Sequence, residues 1–270
     1  MTASIFDGVS PAMLARIQAL RLMDDEFMSV VFSGDNAVTE FLLRILLGRD
    51  DLRVKSSMSQ REKRNLFGRS VRLDIVAEDA DGKLYNVEVQ RADKGAAARR
   101  ARYNLAMLDT HTLKKQDDFA ALPDTYIVFI TEHDHLGLGL PLYRVEKRFA
   151  GTDLPFDDGC TILYANGAYR CDDAIGHLMH DFSCPDADSM YYGAIADKVR
   201  LHKQQIKGVT TMCRIFEEYG DERVAARNIE FAEKLLRQNK LSAEEIADAA
   251  DVPLEQVQAI AERLRVAVLA

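Results

Sequence analysis

Apolar residues recur with a helical period at both ends of the chain and with a strand period in the middle. Near the start, Phe27, Val30 and Val31, then Val38, Phe41, Leu42 and Ile45, are spaced as one helix face. This predicts helices over residues 24–32 and 36–47, with Gly48 as the stop, after a short first helix over 11–21. A polar, basic stretch follows from 49 to 68, with one strand near 52–55. Two strand-like runs, 71–76 and 83–90, then flank the turn Glu78-Asp79-Ala80-Asp81-Gly82. Residues 94–113 return to helical spacing, with Ala97, Ala101, Leu105 and Leu108 on one face. The unbroken apolar run Tyr126-Ile127-Val128-Phe129-Ile130 reads as a buried central strand, and 161–164 as a weaker one. From Asp172 the pattern is helical: 174–182, 189–207 and 209–219, with Gly220 ending that run, then a helical tail from 222 to 269. In the tail, Ser242-Ala243-Glu244-Glu245 is a capping box and Pro253 favours the first turn of a last helix. Strands in the middle with helices on either side make the class α/β or α+β.

Composition narrows this picture. With 270 residues, 47% apolar and 29% charged, the chain reads as a soluble globular protein of one large domain, residues 1–207, with a helical appendage, 208–270. No apolar run approaches the ~20 residues of a membrane helix, and the start lacks a basic segment followed by an apolar one. Cys160, Cys171, Cys184 and Cys213 show no CxxC spacing, which fits reduced thiols in a cytoplasm. The net charge of −8 argues against a general nucleic-acid coat. Residues 53–115, however, hold 15 Lys/Arg against 8 Asp/Glu, an excess of +7 that leaves −15 for the rest. The positive charge surrounds the hairpin, which suits a phosphate-bearing substrate there.

The hairpin carries the chemistry. Strand side chains alternate faces, so Arg72, Asp74 and Val76 share one face, and Glu88 shares its face with Gln90. The turn decides whether the two acids meet. A two-residue Asp81-Gly82 turn pairs 74 with 89 and sends Glu88 to the far face. A three-residue loop with Gly82 left-handed pairs 79 with 83 and hence 74 with 88. We expect the second register. Two carboxylates directly opposite repel unless a cation or proton lies between them. Mg²⁺ or Mn²⁺ held by Asp74, Glu88 and the backbone carbonyl of Val89 would resolve the conflict, with Gln90 orienting water or phosphate.

At these residues the chain resembles the recombination-promoting nuclease/putative transposase family, a branch of the PD-(D/E)XK nucleases. Asp24 to Phe32 resembles the family's opening D-x-x-FK-x-x-F helix. Leu73-Asp74-Ile75, Asp81-Gly82 and Asn86-Val87-Glu88-Val89-Gln90 resemble its LD, DG and NIEMQ core. Arg102-Tyr103 resembles the Arg-Tyr of its next helix, and Leu178-Met179-His180-Asp181-Phe182 with Met190-Tyr191 its later helical region. The resemblance implies a restriction-endonuclease-like mixed sheet flanked by helices, and a Mg²⁺-dependent DNA endonuclease linked to recombination or transposition-like events. It implies Asp74 and Glu88 as metal ligands and Gln90 where many such enzymes have Lys. Asp24 would support the site, and Arg72, Arg91, Arg99, Arg102 and Tyr103 would contact DNA. A homodimer would serve double-strand cleavage; no membrane and no small-molecule cofactor is implied. Met28 stands where the family tends to have Lys. The alternative is a catalytically weak or inactive DNA-binding or assembly protein on the same scaffold.

Three other patterns compete less well. Cys171, His177, His180 and Cys184 form C-x5-H-x2-H-x3-C, which matches no common zinc module and reads as packing. Residues 241–257 have a helix-turn-helix cadence. Glu255 and Gln256 start the second helix among Asp248, Asp251 and Glu262, so it reads as a packing or partner-binding hairpin rather than a DNA reader. Glu132-His133-Asp134-His135 reads as a polar loop.

Overall fold

The computed structural model describes residues 9–63, 71–91 and 95–264. Two compact units divide at Val209/Thr210. The first holds one mixed sheet of six strands: β1 (Val54–Lys63), β2 (Val71–Asp79), β3 (Leu84–Gln90), β4 (Thr125–Thr131), β5 (Leu142–Val145) and β6 (Cys160–Asn166). Their order across the sheet is β1-β2-β3-β4-β6-β5. β1, β2 and β3 run antiparallel as consecutive neighbours, β3–β4 and β4–β6 are parallel, and β5 returns antiparallel at the edge. A parallel neighbour needs a crossover, and α4 (Ala98–Thr112) lies within the one that joins β3 to β4.

Three helices precede the sheet, α1 (Pro11–Ala19), α2 (Asp25–Phe32) and α3 (Asn36–Leu47); α5 (Ala174–Ser183) and α6 (Gly193–Gln204) follow it. This is a restriction-endonuclease-like α/β arrangement. α3 begins where the Asp35 carboxylate accepts the N–H groups of Ala37 and Val38, and ends at Gly48 with φ +63°. α4 lays Ala101 and Leu108 against Leu73, Val76, Ile127, Phe129, Tyr143 and Tyr164 in one apolar cluster. Apolar burial of this kind supplies most of the stability that holds a site on the sheet.

Several elements depart from the expected bounds. The strand expected near 52–55 runs from Val54 to Lys63, because ladder pairing with β2 outweighs the low β-propensity of its polar residues. β5 has no strong sequence signal; its four residues are held by β6. The helix expected from 189 starts at Gly193. Gly220 does not end a helix: α7 runs from Ile206 to Gln238. A terminating Gly takes positive φ, and Gly220 is absent from the positive-φ glycines.

The second unit is helical. The end of α7 packs Ala232 and Leu236 against Ile246 of α8 (Ala243–Ala250) and Val257 and Ile260 of α9 (Leu254–Leu264). The capping box forms: Ser242 Oγ accepts the Glu245 N–H and the Glu245 carboxylate accepts the Ser242 N–H. No helix among the described residues is long and apolar enough to cross a membrane.

Candidate active site

The turn between β2 and β3 fixes the register. The Gly82 N–H donates to Asp79 O at 3.1 Å, the Asp79 N–H donates to Lys83 O at 3.1 Å, and Gly82 has φ +81°. This is the three-residue loop with a left-handed glycine. Asp79 also clamps the loop from inside, accepting the N–H groups of Asp81 and Lys83 and, at 2.6 Å, the hydroxyl of buried Tyr85. The ladder pairs Glu78 with Leu84, Ala77 with Tyr85, Val76 with Asn86 and Ile75 with Val87. The next step sets Asp74 opposite Glu88. There the side chains enter the backbone pairing: Glu88 Oε1 accepts the Asp74 N–H at 3.3 Å and Asp74 Oδ2 accepts the Val89 N–H at 3.1 Å.

Helix α4 closes this face. Arg100 Nη2 donates to Glu88 Oε2 at 2.8 Å, and its Nη1 donates to Gln90 Oε1 at 3.1 Å. One turn on, buried Asn104 donates to Asn86 Oδ1 at 3.3 Å, and Asn86 in turn donates to Glu88 Oε1 at 2.9 Å. Glu88 is 0% exposed, so the bonds it accepts from Arg100 and Asn86 offset the cost of a buried charge.

Burial holds the Asp74 carboxyl well above the usual carboxylate range, and the charges of Glu88 and then Asp25 push it further. Burial also raises Glu88, against the opposing pull of Asn86 and Arg100. Asp25, on the first turn of α2, is raised by burial and then by Glu26. Three acids of raised proton affinity converging at one end of a hairpin mark a place where net positive charge is wanted.

The sequence candidates fall into three groups. Asp74, Glu88 and Gln90 come together. Arg72, Arg99, Arg102 and Tyr103 come together beside them, with Arg100, along a groove of about 610 Å³. Neither Arg99 nor Arg102 has an ion-pair partner among the described residues. Asp24 and Arg91 form the third group. The Asp24 carboxylate accepts from Arg91 Nη1 at 2.7 Å and from the Arg21 N–H at 2.8 Å, while Glu132 bonds both Arg21 and Arg91. Asp24 therefore braces the site, and Asp25 is the neighbour whose charge reaches Asp74. A hollow of about 300 Å³ lies between Asp24, Asp25 and Glu26 and the end of β3 at Val89, Gln90 and Arg91. Met28 is fully buried, so its place in the helix is a core position rather than a phosphate contact.

Sequence reasoning missed Arg100, Asn86 and Asp25. The signal for Arg100 was its spacing: four residues before Asn104, it stands on the same stripe of α4 as a buried polar residue.

The donor set suits a small hard cation held by one or two carboxylates. Among the described residues no group of three or more His, Cys, Asp and Glu side chains is arranged to hold a metal. The His/Cys pattern near 171–184 has other partners. His177 Nε2 lies 2.7 Å from Asp172 with its ring stacked on Tyr191, His180 Nδ1 lies 3.1 Å from Asp181, and Cys184 Sγ contacts Asp186 O. In the polar loop after β4, Asp134 accepts the N–H groups of Leu136, Gly137 and Gly139 and the Tyr143 hydroxyl.

Residues 33–137 match the family model of the PD-(D/E)XK nuclease family transposases. The matched segment contains β1 to β4, α4, the Asp74–Glu88 pair and all four arginines of the groove. Its bounds are narrower than the family motifs spread over residues 24–207 of the sequence. Comparison with curated proteins gives no match, and comparison with solved structures gives none either.

Proposed function

We propose that this chain is a divalent-cation-dependent DNA endonuclease, with its site at the Asp74–Glu88 end of the hairpin. The observation that carries this reading is one juxtaposition: two mutually repelling acids on adjacent strands, next to a groove lined by Arg72, Arg99, Arg100 and Arg102. Asp74, Glu88 and the Val89 carbonyl are the proposed ligands of Mg²⁺ or Mn²⁺. Such an ion, when bound, polarises a phosphoryl oxygen and lowers the pKa of its water. Arg72, Arg99 and Arg102 hold backbone phosphates as fixed charges, and the Tyr103 hydroxyl adds a donor. Gln90, oriented by Arg100, positions the attacking water through its amide. Asp24, Arg91 and Glu132 keep the end of β3 in place. Two copies acting together would cut both strands, in keeping with recombination or transposition-like events in the cytoplasm.

A second reading has its own observation. Gln90 is neutral where a lysine would add charge, and Arg100 already occupies Glu88. A scaffold that binds DNA with little or no cleavage would look the same. Supercoiled plasmid with Mg²⁺ or Mn²⁺ separates the two. Under the first reading the wild type nicks, and Asp74→Asn and Glu88→Gln lose about 10³-fold, the scale of a removed charge-stabilising group. Equal cleavage by those variants overturns the site. Salt-dependent binding without cleavage in either ion supports the second reading.

A further inference from the structure

Arg100 connects the carboxylate pair to the arginine groove. Its guanidinium bonds Glu88 Oε2 and Gln90 Oε1, while its side chain, 41% exposed, lines the groove with Arg72, Arg99 and Arg102. Glu88 Oε1 already accepts from Asn86 and from the Asp74 N–H. Oε2 is therefore the oxygen that Glu88 has left for a cation, and Arg100 holds it.

A guanidinium and a divalent ion on one carboxylate oxygen repel strongly in a site shielded from water. The two compete for that oxygen. Arg100 is the freer partner. Its remaining bonds go to a neutral amide oxygen and, at 3.4 Å, to Gly95 O. Phosphate oxygens of a bound nucleic acid would offer it a second anionic partner along the same groove.

We infer that Arg100 is an exchangeable counter-ion. It neutralises Glu88 when the site holds no divalent ion, and it leaves Glu88 for a backbone phosphate when ion and nucleic acid are both bound. This rests on the function proposed above and adds to it a coupling between two binding events. The coupling is reciprocal: nucleic acid in the groove draws Arg100 away and tightens the ion, and the ion frees Arg100 for the phosphate. Arg100 is then a positioning residue for Glu88 in one state and a phosphate contact in the other.

The test is calorimetric titration of Mn²⁺ into the full-length wild type, Arg100→Met and Arg100→Lys, each alone and with a short uncleavable phosphorothioate duplex. Arg100→Met alone is expected to bind Mn²⁺ about 10-fold tighter than the wild type, the low end for coupling of close charges. The duplex, whose phosphate can itself meet the ion, should tighten Mn²⁺ by a clearly larger factor for the wild type than for Arg100→Met. Arg100→Lys, which keeps the charge but lacks the planar fork that spans Glu88 and Gln90, should lie between them. Binding by Arg100→Met that is equal to or weaker than wild type overturns the exchange. If Arg100→Met does not fold, Arg100→Lys decides by the same comparison. A wild type that binds no Mn²⁺ with or without duplex overturns the metal site itself and the exchange with it.

Discussion

The carboxylate of Glu88 accepts the backbone N–H of Asp74 at 3.3 Å across the β2–β3 ladder. The second acid thus reaches the backbone of the first, and repulsion between the side chains is built in by the chain itself. On the function proposed above, a cation bound there would relieve this conflict.

Removing one charge should therefore stabilise the ion-free protein. Asp74→Asn is expected to gain about 1 kcal/mol at pH 7.5, the scale seen when active-site conflict is relieved. In a protein of this size that is a rise of roughly 2–4 °C in Tm. The gain should shrink as pH falls. Asp74 and Glu88 bind protons more tightly in the folded chain, so the stability that protonation adds is full below the ordinary carboxylate range and is lost as pH rises through their raised values. Thermal melts in chelator from pH 5 to 8 check this; a lower Tm for Asp74→Asn at pH 7.5 would contradict it.

Gly82 sets the register at a backbone angle that other residues resist. A Cβ there meets nothing within 4 Å, so Gly82→Ala carries only the cost of φ +81°. We expect a loss of about 1 kcal/mol in urea unfolding with an unchanged m-value. No loss would mean that the loop is held by Asp79 alone.

Arg99 and Arg102 should act on DNA through charge. The double variant Arg99→Gln, Arg102→Gln is expected to lower the slope of log K against log salt by roughly 2, equally for unrelated duplexes. Fluorescence anisotropy across a salt series without divalent ions measures it. An unchanged slope would remove both residues from the interface.

Lys203 is a buried cation of the first unit, 2% exposed, donating to the carbonyls of Gln18, Leu20 and Pro185. Lys203→Met strands all three acceptors and should cost about 3 kcal/mol. Burial lowers the lysine to about 8. The unfolded chain then binds the extra proton between pH 8 and the free lysine value, so this group adds stability as pH rises through that window. Unfolding followed from pH 7 to 10 should show that gain in the wild type and not in the variant.

The pattern of the chain revealed the strands at 71–90 and 124–131 because alternation and an unbroken apolar run are local signals. It narrowed the register to two, since a left-handed Gly82 fits both a two-residue and a three-residue loop, and the Gly82-to-Asp79 and Asp79-to-Lys83 backbone bonds select the second, as expected. β1 and β5 were harder to see, being polar or short and held by neighbours distant in sequence. Arg100 was obscured by company: of the three arginines within residues 99–102, only the fold selects the one that bonds Glu88. The charge of Asp25 rather than Asp24 reaches Asp74, while Asp24 is turned back toward Arg21 and Arg91.

That backward turn of Asp24 bears on where this protein can be cut. Arg21, Asp24, Arg91 and Glu132 close a ring of charges that joins the corner before α2 to the ends of β3 and β4. Met23 N–H donates to Phe182 O, and Lys203 fastens the end of α1 from the far side of the sequence. A fragment trimmed to residues 33–137 would keep the acids and the groove yet lose Arg21, Asp24, Asp25 and Lys203. The matched stretch thus leaves out the groups that brace the candidate site, and a truncation meant to keep that site intact should begin before Ile17 and extend past Lys203.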